Sequence, residues 1–103
     1  LDFQITKRYK DEKMNRILVL ITLSESGIGT IKSNPELPKK EIEFVALWKE
    51  EGILESFFIS VSKKDAVLIF KNIDESTTKG LIEVLPYFPY MENIEYHNLI
   101  KQF

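Results

Sequence analysis

The sequence has no cysteine, one histidine, one tryptophan and two arginines, with four glycines and four prolines in 103 residues. Without cysteine there is no disulfide and no thiolate metal site, and nothing in the composition argues for an oxidising compartment, so the cytoplasm is the expected location. One histidine and no Asp/Glu cluster at ligand spacing leave no metal motif, and no cofactor is expected. Gly27-Ile28-Gly29 lacks the third glycine and the following helix of a phosphate loop, and no nucleophile triad can be assembled. The longest apolar run, residues 17–23 interrupted by Thr22, is far short of the roughly 20 residues a spanning helix needs, so no membrane partner is expected. Fourteen basic and sixteen acidic residues give a net charge of −2. No basic stripe interleaves with aromatics, so the footprint of a nucleic-acid binder is missing.

What is present is an ordinary globular composition, 44% apolar and 29% charged, at a length that suits one domain. Residues 1–13 (LDFQITKRYKDEK) end in a dense charge cluster and read as a solvated arm, with a short edge strand at residues 3–6 as the alternative. Residues 14–103 form the domain. Residues 16–24 (RILVLITLS) have the β-branched, apolar character of a central strand covered on both faces. Residues 25–38, with Gly27, Gly29, Asn34, Pro35 and Pro38, read as a loop. A helix is predicted over residues 39–51, where Ile42, Val45, Ala46 and Trp48 recur at helical spacing and Gly52 supplies the stop. Residues 53–62 and 66–72 read as a β hairpin across Lys63-Lys64-Asp65. A second helix, capped by Asp74 or Ser76, runs through residues 77–85 until Pro86 ends it. Residues 86–90 are a stiff aromatic connection in which Pro89 keeps Phe88 extended, and residues 91–100 are the last strand.

The order βαββαβ predicts an α+β, ferredoxin-like domain: a four-stranded antiparallel sheet with two helices on one face. Strands apolar on both sides leave the second face needing cover, which predicts a homodimer, or a higher homo-oligomer, with sheets face to face.

Candidate chemistry is sparse. His97 and Glu95, two residues apart, point to one face of the last strand, where a base beside a carboxylate would sit. The competing reading is an exposed polar pair. Glu55 shares parity with Phe57, Ile59 and Val61, and in an apolar setting its pKa would be raised; it would otherwise mark a solvated strand start. Arg16 opens the first strand, where its fork could reach a carboxylate or serve as a surface charge. Of the aromatics, Tyr87, Tyr90 and Tyr96 are the expected polar groups of a ligand pocket, and Trp48 is expected to pack helix against sheet.

Leu85, Pro86, Phe88, Pro89, Tyr90 and Met91 spell a Leu-Pro-x-Phe-Pro-Tyr-Met segment between the second helix and the last strand. This segment resembles that of muconolactone delta-isomerases. Glu51-Gly52, Phe70, Ile94, Glu95 and Leu99 extend a compatible pattern over residues 14–99. The resemblance implies a dimeric α+β barrel with a pocket for a small carboxylated ring, and cofactor-free isomerisation by proton transfer. The catalytic assignment does not follow from the resemblance; by parity and residue type Glu55, Glu95 and His97 are the catalytic candidates, and Arg16, Tyr87, Tyr90 and Tyr96 the ligand-binding ones. The stretch from Glu55 to Ile59 departs from the basic and tryptophan side chains of the family's second strand, which keeps open a non-catalytic dimerisation or ligand-sensing module on the same scaffold.

Overall fold

A computed structural model describes residues 14–103; the predicted arm, residues 1–13, lies outside the described residues. In chain order the elements are β1 (Asn15–Leu23), α1 (Glu25–Lys32), α2 (Glu36–Glu50), β2 (Leu54–Ile59), β3 (Asp65–Lys71), α3 (Glu75–Glu83), a single 3-10 turn (Phe88–Tyr90) and β4 (Met91–Ile100). The strands form one antiparallel open sheet in the order β2-β3-β1-β4, so the α+β, ferredoxin-like arrangement holds with one helix added. The apolar β1 is central, as its composition predicted.

The helix ends follow from local chemistry. Pro35 stands at the N-cap position of α2 without a side-chain capping bond, Pro38 lies in the first turn, and Gly52, at φ +80°, takes the left-handed conformation that lets the chain leave. Asp74, rather than Ser76, caps α3, its Oδ1 accepting from the Thr77 amide at 2.8 Å.

Two local expectations are corrected. Residues 25–38 are not all loop, because they contain α1. Ser24 caps it by accepting from the Gly27 amide at 3.0 Å, Glu25 and Lys32 suit its two ends, and the Ser33 amide and hydroxyl both bond Gly29 O. Gly27 is there for contact rather than for a turn. A Cβ at that position would lie 2.6 Å from Tyr90 Cβ, so only glycine lets α1 seat on the 3-10 turn. Phe88, expected to be extended, instead begins that turn. The Phe88 amide bonds Leu85 O at 2.9 Å and the Tyr90 amide bonds Tyr87 O at 2.8 Å; Pro89, between them, has no N–H to satisfy.

The core lies on one face of the sheet. Alternation sends Ile17, Val19 and Ile21 of β1 and Leu68 and Phe70 of β3 to the side where Val45 and Trp48 of α2 and Ile82 of α3 are buried. Trp48 bridges helix and sheet, its ring 5.5 Å from that of Phe70 and 6.4 Å from that of Phe44. Leu18, Leu20, Val67 and Ile69, on the opposite parity of the same strands, do not join the core cluster. Phe58 and Leu99 share that second face by register, and 60% and 41% of their surfaces are exposed.

A carboxyl group in a largely apolar pocket

Glu41 occupies the inward stripe of α2, four residues before Val45 and seven before Trp48, the spacing at which helical side chains share a face. It therefore projects towards the core side instead of to water. There it lines a cavity of about 310 Å³ with Ile21, Val45, Phe57, Leu68, Leu85 and Met91, a volume at the small end of the usual range for ligand pockets. Desolvation in this apolar setting pushes the Glu41 pKa up to about 7, despite the opposing effect of the Tyr87 amide, which donates to its Oε1 at 2.9 Å. The carboxyl thus exchanges its proton in the neutral range while a backbone bond fixes its position.

Tyr87 lines the same cavity. Burial, and then the nearby charge of Glu41, raise its hydroxyl above the usual phenol range and keep it a neutral donor. The β2–β3 connection contributes Lys63, Lys64 and Asp65. This turn is well fixed: the Ser60 amide bonds Asp65 O at 2.9 Å, the Lys63 amide bonds Ser60 O at 2.8 Å, and Ser60 Oγ accepts from the Asp65 amide at 3.0 Å. Lys63 is held at φ +65°, a conformation uncommon outside glycine. Lys63 and Lys64 consequently border a largely apolar pocket that also contains the Glu41 carboxyl.

The structure distributes the other candidates differently. Tyr87 is where a pocket tyrosine was expected. Tyr90 instead packs its Cβ against Gly27, and its carbonyl accepts from the Ser24 amide at 2.9 Å. Tyr96 lies on the core side of β4 opposite Val19, with Lys79 Nζ 5.3 Å from its ring centroid, and does not line the cavity.

Glu55 does not have the raised pKa expected of a carboxylate in an apolar site. Arg16 grips it with Nε–Oε1 at 2.8 Å and Nη2–Oε2 at 3.0 Å, and Lys101 lies 3.8 Å from it, so its pKa is lowered, chiefly by the Arg16 hydrogen bonds. Arg16 does reach a carboxylate with its fork, but that carboxylate belongs to the protein. His97 and Glu95 share a face, as their spacing required, with His97 Nε2 3.2 Å from Glu95 Oε1. Each is about half exposed, and both lie on the second face with Leu18 and Leu20, away from the cavity lining.

Glu41 was missed because the helix was read by its apolar residues alone. The available signal was a glutamate at the position where the stripe through Val45 and Trp48 called for an apolar side chain. Among the described residues no three His, Asp or Glu side chains gather as a metal site, and no helix is long and apolar enough to cross a membrane. No family model and no curated protein matches the chain.

Proposed function

We propose that the chain binds a small carboxylated ring in the cavity beneath α2 and isomerises it by cofactor-free proton transfer, with Glu41 as the acid and base. The observation that carries this reading is the partly buried Glu41 carboxyl, set among mostly apolar side chains and shifted to about 7. A general base works best when its pKa lies near the operating pH. The resemblance of residues 85–91 to muconolactone isomerases supports the same chemistry, because that segment supplies Leu85, Tyr87 and Met91 to the pocket.

In this scheme the substrate carboxylate pairs with Lys63 or Lys64. Ionised Glu41 takes a proton from the saturated ring carbon at the far end of the conjugated double bond, and the electron pair is delocalised through that bond onto the carbonyl oxygen as a dienolate. Tyr87, a neutral donor, or a lysine meets that charge. Protonated Glu41 then returns the proton to the carbon next to the carbonyl, which shifts the double bond with no change in oxidation level. One carboxyl does both transfers.

The test is incubation with muconolactone in deuterated water, followed by NMR. The parent is expected to exchange deuterium into the ring and shift the double bond. Glu41→Gln is expected to lose about 10²- to 10⁴-fold of that rate, while His97→Ala and Glu55→Gln retain it. Binding of muconolactone without exchange by the parent would instead favour the ligand-sensing module. Neither binding nor exchange would remove the pocket assignment.

A further inference from the structure

A second cavity continues the first. It holds about 360 Å³ between Ala46 and Lys49 of α2 and Leu54 of β2, and it shares Ile42, Val45 and Phe57 with the cavity that contains Glu41. The two are therefore neighbours across one apolar wall. Positions 42, 45, 46 and 49 make one stripe of a helix, and this stripe borders β2. Eight residues separate Glu41 from Lys49, about 12 Å at the rise of a helix. The seam between α2 and β2 is not closed by the protein itself. Ile42 on its helix side and Ile59 on its sheet side are 52% and 58% exposed, although Ile59 has the parity of Phe57, which packs against the core.

The charged groups sit at the ends of this groove. Lys63 and Lys64 border the Glu41 end, and among the described residues neither ammonium group has an ion pair. Asp65 beside them is engaged by Thr22 Oγ1 at 2.9 Å. The other end has one cation and one anion, Lys49 and Glu55, the second already held by Arg16. Free positive charge at one end and hydrocarbon along the length match an acid with an apolar tail.

We infer that the second cavity is a subsite for that tail, so that the acid bound beside Glu41 is a ring carrying an alkyl substituent. The inference rests on the ring-binding reading above and adds the class of substrate. The carboxylate stays with Lys63 and Lys64, and the tail runs past Val45 and Phe57 towards Ala46 and Leu54. Ile42, half exposed at the helix surface, is the wall residue that turns aside. Each methylene buried there is favourable until Lys49 ends the apolar stretch.

Titration of the full chain with benzoate and its para-alkyl derivatives, methyl to hexyl, followed by amide NMR shifts, tests it without turnover. At pH 6, below the Glu41 pKa of about 7, the carboxyl holds its proton and does not repel the acids. The dissociation constant is expected to fall about three- to fourfold with each added methylene. The amides of Ala46, Lys49 and Leu54 are expected to shift with tailed acids but not with benzoate. Ala46→Phe, at an exposed position of α2, fills the second cavity and is expected to abolish the dependence on tail length while benzoate binds as before. If that variant does not fold, the parent series and its amide shifts decide alone. Equal affinity for benzoate and every tailed acid overturns the tail subsite and leaves the ring site standing, as does a length dependence that folded Ala46→Phe keeps. A chain that binds none of these acids overturns both. Length-dependent binding without deuterium exchange into muconolactone removes the isomerase and supports the groove.

Discussion

The two faces of the sheet are built from the same strands, and neighbouring residues such as Ile69 and Phe70 point to opposite sides. Against the helices, apolar side chains close into a core that includes Trp48, with few polar groups among them: the fully buried Thr78, whose hydroxyl donates to Asp74 O at 2.8 Å, and the partly buried Glu41 carboxyl. On the second face, apolar residues stay partly exposed and charged side chains pair among themselves or with hydroxyl and amide groups. A carboxylate beside a guanidinium is quiet at neutral pH, whereas one partly desolvated among mostly apolar side chains is chemically active there. Glu55 and Glu41 are those two cases in one small domain.

The largest break in this contrast is Phe70→Ala. Phe70 is fully buried against Trp48, and its truncation is expected to cost about 3–5 kcal/mol, read as a lower midpoint in urea.

Next comes Glu41→Gln. A pKa raised from 4.5 to about 7 means that the folded chain holds a proton the unfolded chain has released. This contribution to stability is complete below about pH 4.5, falls as the pH rises, and is gone above about pH 7. With allowance for partial exposure it amounts to roughly 2–3 kcal/mol. Glutamine keeps an acceptor for the Tyr87 amide without the titration, so urea melts across this range should flatten, and above pH 7 the variant should be the more stable protein. A variant with the parent's pH dependence would show that Glu41 does not titrate in this window.

Gly27→Ala follows, at about 1–3 kcal/mol, because its Cβ would meet Tyr90 at 2.6 Å. Hydrogen exchange should report the loosening first in α1 and the 3-10 turn. Smallest is Ile69→Ala, on the open face beside Phe70, expected to cost under about 1 kcal/mol in dilute protein. A cost similar to that of Phe70→Ala would mean that the second face is covered.

Most of the fold was readable because it rests on periodicity and punctuation. The apolar run of β1, the hairpin, the stop at Gly52, the cap at Asp74 and the start of β4 at Met91 all lie where residue type demanded. The helix α1 was not readable, since Gly27 and Gly29 weaken it locally; its reason lies in Tyr90, more than sixty residues along the chain. The 3-10 turn was missed for a similar reason. The rule for a residue preceding proline is a local tendency, overruled here by the bonds of Phe88 to Leu85 and Tyr90 to Tyr87. Of the site, only Tyr87 was anticipated. Glu95, His97 and Glu55 were chosen by parity along single strands, but parity does not say which face a helix will cover. Glu41 stood on the covering helix itself.

The two strands at the margins of the sheet carry a further consequence. A free strand edge is a template on which other chains can polymerise, and proteins blunt it with brevity, irregularity or charge. β2 has six residues and a register shift between Leu54 and Ser56. β4 is longer, with ten residues, but it displays Glu92, Glu95 and His97 at exposed positions. Neither margin offers a long, straight and neutral ladder, so runaway edge-to-edge growth into fibrils is discouraged at both.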